Sequence, residues 1–229
     1  MKRIGFSALL VAAASLAACG GGGSGSNTPP AKPVLQSQGA WIGTTYAGLI
    51  TPDGEGWIVP LQNDGSVTKI AVKESANTVS GSGHYYEGLM VSSVSSQGNF
   101  EAKKSITVTT TAQNGSKETV TAQYDAVYDG TPSLAAIAGN YTGVNGGNYT
   151  MLADGSVTGT TGYGCSVSGK ATLDKSGKNF YRVTLTEGAA PCPYPGLALP
   201  GVFVLKGTQV IGAVAAVGKV GESFVLNKQ

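Results

Sequence analysis

Between Ser105 and Asp129 the chain alternates apolar and polar side chains with few breaks. Ile106, Val108, Thr110 and Ala112 alternate with Thr107, Thr109, Thr111 and Gln113. Past Asn114-Gly115-Ser116, Val120, Ala122, Tyr124, Ala126 and Tyr128 line up, with Thr119, Thr121, Gln123 and Asp125 between them. A period of two marks a half-buried strand. Opposed residues of an antiparallel pair share one face, so parity selects the turn. A two-residue loop at Asn114-Gly115 sets Val108 against Thr121 and mixes the faces. A three-residue loop over Asn114-Gly115-Ser116 sets Val108 against Ala122 and Ile106 against Tyr124, and keeps the apolar face whole. A bulged three-residue turn is therefore expected, with Gly115 at positive φ.

The same punctuation recurs. "LQNDGSVT" and "MLADGSVT" put Asp64-Gly65 and Asp154-Gly155 at turns, and "TLDKSGKNFYRVTL" turns at Lys175 to Lys178. "VFVLKGTQVIGAVAAVGKVGESFVL" reads as three strands, turning near Gly207 and near Gly218 to Gly221. Its small residues Gly212, Ala213, Ala215 and Ala216 predict a tight approach of neighbouring elements. A weak repeat pairs "GAWIG" (Gly39 to Gly43) with "GNYTG" (Gly139 to Gly143), and Asp64 to Thr68 with Asp154 to Thr158. Between the copies, "TPSLAAIAG" predicts one helical turn capped at Ser133. The expected fold is all-β: two tandem antiparallel meander modules, small barrels or sandwiches, over 35–131 and 132–229.

The N-terminus follows another rule. Lys2 and Arg3 precede an apolar run from Ile4 to Ala14, then small residues, then "SLAACGGGGSGS". Positive start, short apolar core and small-residue exit are the marks of an export signal. The run is shorter than the roughly 20 residues of a bilayer span. Leu16-Ala17-Ala18-Cys19 resembles the lipobox of bacterial lipoprotein precursors. That resemblance implies a signal peptide over 1–18, acyl chains on Cys19, and a membrane held as partner through those chains. Gly20 stands where Asp would imply inner-membrane retention in that family, so the outer membrane is the implied address. Two or three chains anchor stably where one does not. Residues 19–34, rich in Gly and Ser and ending in Pro29, Pro30 and Pro33, then read as a flexible tether reaching roughly 20 Å.

Charge narrows the partners. The chain has 15 Lys and Arg against 13 Asp and Glu. Lys2 and Arg3 leave with the signal, so the mature charges balance and Arg182 is its one arginine. Nucleic-acid binding wants a basic face, and none is supplied. With Cys19 lipidated and the chain in an oxidising compartment, Cys165 and Cys192 are left as one expected disulfide. A two-thiol metal site lacks nearby histidine, because His84 is the only one in the chain.

Catalysis is not expected. A hydrolytic triad would need His84, in "SGSGHYYEG", and there is no nucleophile elbow. Asp53 and Glu55 lie close together but within the turn "TPDGEG". No cofactor or metal is implied. Trp41, Trp57 and Tyr141, with Tyr85 and Tyr86, suit a pocket wall or a sugar-binding face, and core packing is the simpler reading for most of them. Tyr85 and Tyr86 are the candidate binding residues, because neighbours on a strand face opposite ways and one of them would reach solvent or a barrel lumen.

Gly39-Ala40-Trp41 and Gly139-Asn140-Tyr141 resemble the first strand of small lipocalin-like barrels. In layout the chain resembles the Gram-negative surface lipoproteins that include factor H-binding protein and transferrin-binding protein B. "GCSVSG…NFYRVTL…PC" is similar to a stretch of uncharacterised proteobacterial lipoproteins. Together these imply a lipid-anchored envelope protein that binds a protein or small ligand without catalysis. The alternatives are a structural or assembly accessory of the envelope, and a hydrolase acting on envelope polymer.

Overall fold

The computed structural model describes residues 34–62 and 64–229. The expectations for the signal peptide, for Cys19 and for nearly all of the tether lie outside the described residues.

The described chain is almost entirely β, in two closed antiparallel barrels of eight strands each. The first runs through β1 (Gly39–Ile42), β2 (Tyr46–Ile50), β3 (Glu55–Pro60), β4 (Val67–Ser75), β5 (Thr78–Glu87), β6 (Met90–Glu101), β7 (Ser105–Ala112) and β8 (Lys117–Asp125). Each strand pairs with the next, and β8 closes on β1 through Trp41 opposite Tyr124. The second runs through β9 (Gly139–Gly143), β10 (Asn148–Met151), β11 (Ser156–Thr160), β12 (Ser166–Leu173), β13 (Tyr181–Glu187), β14 (Ala198–Lys206), β15 (Gln209–Ala216) and β16 (Val220–Lys228), closing between β16 and β9. Closure leaves no open sheet edge. The helical turn α1 (Leu134–Ile137) joins the barrels as expected, but the Ser133 side chain makes no capping bond. Instead its backbone N–H and carbonyl bond the Tyr181 hydroxyl at 3.3 and 3.0 Å.

The β7–β8 register departs from expectation. Val108 faces Val120 and Ile106 faces Ala122. The loop has three residues as expected, but they are Gln113, Asn114 and Gly115. Gly115 N–H bonds Ala112 O, and Ala112 N–H bonds Ser116 O, both at 2.9 Å. Gly115 sits at φ +84°. The left-handed residue must end the loop, because it follows the type I turn and forms the bulge. That shifts the pairing by two and preserves the face.

The repeat is real in one place and not in the other. Trp41 Nε1 donates to Ser37 O at 3.1 Å, and Tyr141 Oη donates to Ile137 O at 2.8 Å. Each first strand thus ties its aromatic to a carbonyl four residues upstream. The two Asp-Gly turns share their local bond, Asp64 and Asp154 each accepting the N–H two residues on at 2.8 Å. They do not share a place. Asp64 precedes the fourth strand of its barrel and Asp154 the third of its own.

Alternation sends one set of side chains to each lumen. Trp41, Val79, Phe100, Ile106 and Ala122 fill the first, with Ile50. Tyr141, Met151, Val183, Phe203 and Leu226 fill the second. The outer faces are also apolar where the barrels meet. Leu49, Trp57, Val59, Val67 and Tyr86 form one cluster with Val202, Val204, Ile211, Ala213, Ala215 and Val225. Burying each Val, Ile or Leu of such a seam stabilises by about 1.5–3 kcal/mol. The expected tight approach is therefore that of barrel to barrel. At Gly221 a Cβ would lie 2.7 Å from the Tyr86 ring, so only glycine admits that contact.

The barrels lie side by side with matching ends together. The chain enters at one end of the first barrel, where Gln36 and Ser37 N–H groups bond the Glu74 carboxylate at 3.1 and 2.8 Å. At that same end the 53–55 turn meets Arg182 of β13. At the far end Ser223 N–H bonds Gly65 O at 3.2 Å.

Candidate functional site

Three features of the double barrel bear on function: an ion cluster, two lumens and a crevice. The cluster is structural. Arg182 Nε bonds Asp174 at 2.9 Å, Nη2 bonds both Asp53 oxygens at 2.9 Å, and Nη1 bonds Glu55. Lys69 adds a second cation on Glu55 at 3.2 Å. Asp53 and Glu55 are thus held on the other barrel's arginine. Burial pushes the Asp174 carboxyl up, but hydrogen bonds from Ser176 and Arg182 outweigh it and hold it below its ordinary range.

The lumens are nearly full. The first keeps about 50 Å³ of space walled by apolar groups such as Ile58, Ile70 and Val108, and the second about 30 Å³ around Tyr149 and Phe224. A water needs about 10–15 Å³ of such space, so each lumen has room for a few water-sized groups and no more. Ordinary ligand pockets need about 300 Å³ or more.

The crevice is larger, about 230 Å³, and opens where the far ends of the barrels meet. The first barrel supplies Asp64, Gly88 and Leu89. The second supplies Thr161, Tyr163, Cys165, Glu187, Pro191, Tyr194 and Glu222. Parity puts both glutamates on the lumen side: Glu187 follows Val183 and Leu185 inward on β13, and Glu222 stands between Val220 and Phe224 on β16. Burial, with the charge of Glu187 adding to it, pushes the Glu222 carboxyl above its ordinary range. Burial and Glu222 together push the Tyr149 hydroxyl up to about 12.

The Cys165–Cys192 disulfide forms beside these groups, with S–S 2.08 Å. It pins the β13–β14 loop, with Pro191 and Tyr194, to the β11–β12 turn that carries Tyr163. Both sulfurs lie within 4.8 Å of a Glu187 oxygen. Because they are bonded to each other, Glu187 there is a lone carboxylate and not part of a three-ligand set.

The two candidate tyrosines separate as strand geometry requires. Tyr86 is fully buried in the seam, its hydroxyl accepting Gly218 N–H at 3.4 Å. It cements the barrels and is closed to any ligand. Tyr85 points inward at the far mouth of the first barrel, beside Tyr46, Ser66 and Glu118, and bonds Glu87 at 3.3 Å. Burial raises its pKa. Asp64 lines both this mouth and the crevice. His84 lies on the outer face of β5, its ring 6.0 Å from Tyr86. Trp41, Trp57 and Tyr141 are buried core. Among the described residues, no helix is long and apolar enough to cross a membrane.

Glu222 carries a pH signature. A carboxyl whose folded pKa is raised holds its proton more tightly when folded. The fold therefore loses stability as pH climbs past the unfolded value of about 4. Glu222→Gln removes that loss. Its melting temperature is expected above that of the parent at about pH 7.5, with the gap closing near pH 3.5, where the parent carboxyl is protonated in both states. Thermal unfolding at the two pH values checks this, and an equal gap at both would assign the gain to packing.

Compared with known proteins, the chain matches no protein-family model, no curated sequence and no solved structure.

Proposed function

We propose that this chain is a lipid-anchored envelope protein, held at the outer membrane through acyl chains on Cys19, and that its double barrel is a non-catalytic binding module. The crevice is its binding face. The observation that carries this reading is one of volume: about 230 Å³ at the crevice against about 50 and 30 Å³ inside the barrels. Position supports it. The chain enters the first barrel at Leu35 to Gln38, and the crevice lies at the opposite end.

Two measurements test the reading. Cys19→Ala is expected to move the chain from the membrane pellet to the soluble envelope fraction; retention in the pellet removes the anchor from the proposal. A photo-crosslinking residue at position 163 is expected to yield a light-dependent adduct in intact cells, and the same residue at 107, on the outer wall of β7, none. Adducts from both positions, or from neither, would remove the crevice.

A second reading, hydrolysis of an envelope polymer, draws on Glu187 and Glu222 facing one cavity. Pairs of carboxyl groups flanking a glycosidic bond do such work. It requires turnover that either glutamine variant abolishes.

A further inference from the structure

We infer that the crevice receives a basic side chain, lysine or arginine, presented by a protein partner. This rests on the crevice being the binding face and names the chemistry it selects.

Glu187 carries the inference. It is 8% exposed and borders both the crevice and the second lumen. Among the described residues its carboxylate accepts one hydrogen bond, from Tyr194 N–H at 2.8 Å. A carboxylate has about four acceptor sites. Buried charges are paired or they are costly. The same fold shows how it pairs one when the partner is internal. Asp174, also 8% exposed, accepts Arg182 Nε and Ser176 N–H, both at 2.9 Å. Glu187 has no such cation. It faces a cavity that Glu222 and Asp64 also line and that no lysine, arginine or histidine lines. The missing positive charge is supplied from outside.

Size and rim decide what brings it. About 230 Å³ suits one long side chain more than a whole small-molecule ligand. Leu89 and Tyr163 stand at the opening, 74% and 84% exposed. Exposed beside the cavity mouth, these two side chains offer apolar contact to a partner's surface. They would cover the aliphatic stem of a lysine, and the Tyr163 ring would face its charged head.

The test uses the full mature chain in nanodiscs, titrated by calorimetry with three probes. These are a short apolar peptide with one central lysine, the same peptide with that lysine Nε-acetylated, and free 1,5-diaminopentane. The lysine peptide is expected to bind, with the acetylated form at least tenfold weaker. Glu187→Gln and Glu222→Gln are each expected to weaken the lysine peptide about tenfold and to leave the acetylated peptide unchanged. Equal binding of the two peptides would overturn the charge inference while leaving the crevice as a binding face. Binding of the diamine alone would overturn the protein partner. Should neither glutamine variant change the lysine peptide's affinity, the site is elsewhere. Because loss of a fold would also lose binding, each variant's melting curve is taken alongside.

Discussion

Replacing Cys165 and Cys192 together by alanine is expected to lower the stability of the folded chain by about 3–4 kcal/mol. The bridge closes a loop spanning 27 positions, which sets that figure in the chain-entropy model. The loss should be concentrated at one end of the second barrel. The other ties of the β13–β14 loop are Gly188 N–H to Ser166 O at 2.8 Å, Gly196 N–H to Glu187 O at 2.9 Å, Tyr194 N–H to the Glu187 carboxylate and, within the loop, Cys192 N–H to Ala189 O at 3.2 Å and Leu197 N–H to Tyr194 O at 3.0 Å. Two of these five end on Glu187. Without the bridge the loop pulls the crevice wall with it, and Tyr163 and Tyr194 lose their fixed spacing. Urea unfolding gives the stability difference, and amide exchange locates it. A loss below about 1 kcal/mol, or exchange that rises evenly over both barrels, would contradict this.

Arg182→Ala is the second large effect. It leaves Asp53, Glu55 and Asp174 close together, with Lys69 still paired to Glu55. Removing one partner of a buried ion pair costs about 3–5 kcal/mol. The Asp53 side chain is 49% exposed and that of Asp174 6%, so solvent screens part of the cluster and about 2–3 kcal/mol is expected. For a chain of this size that lowers the melting temperature by roughly 5–10 °C. Arg182→Lys should recover little, because one ammonium cannot reproduce a planar fork that serves three carboxylates. The loss is pH-dependent. Asp53 and Asp174 titrate below their ordinary values in the folded chain: burial pushes each upward, and hydrogen bonds from Thr51 to Asp53 and from Ser176 to Asp174, with Arg182 acting on both, outweigh it. Their contribution is complete above the unfolded pKa and is lost as pH falls through the folded one. The gap between parent and variant should therefore shrink in acid. A gap that persists in acid would mean that the arginine acts through packing on Phe180, whose ring lies 5.4 Å away.

Much of this was legible residue by residue. Alternation from Ser105 onward marked two strands and their shared face. Gly115 marked the turn, though not its register, because parity is blind to a slip of two. Small residues on β15 signalled a close neighbour, and the cysteine count signalled the bridge. The site itself left a fainter trace. Glu187 and Glu222 each occupy an inward position in an otherwise apolar alternation, at Val183-Leu185-Glu187 and Val220-Glu222-Phe224. An acid at such a position is a local conflict, and conflicts of that kind gather where function is. The adjacent aromatics point instead to Tyr85 and Tyr86, and Tyr86 belongs to the seam.

The sequence by itself determined what depends on near neighbours: strands, turns, the all-β class and the pairing of two cysteines. Those follow from a period of two, from glycine's access to positive φ and from simple counting. Only the tertiary structure decided that Arg182 closes on Asp53, 129 positions away. It also decided that the outer faces of β3 and β15 share one core, and that two acids meet in a crevice bounded by both barrels. Such contacts join surfaces whose local patterns are each complete alone. No periodicity along one strand records which face of another barrel will cover it.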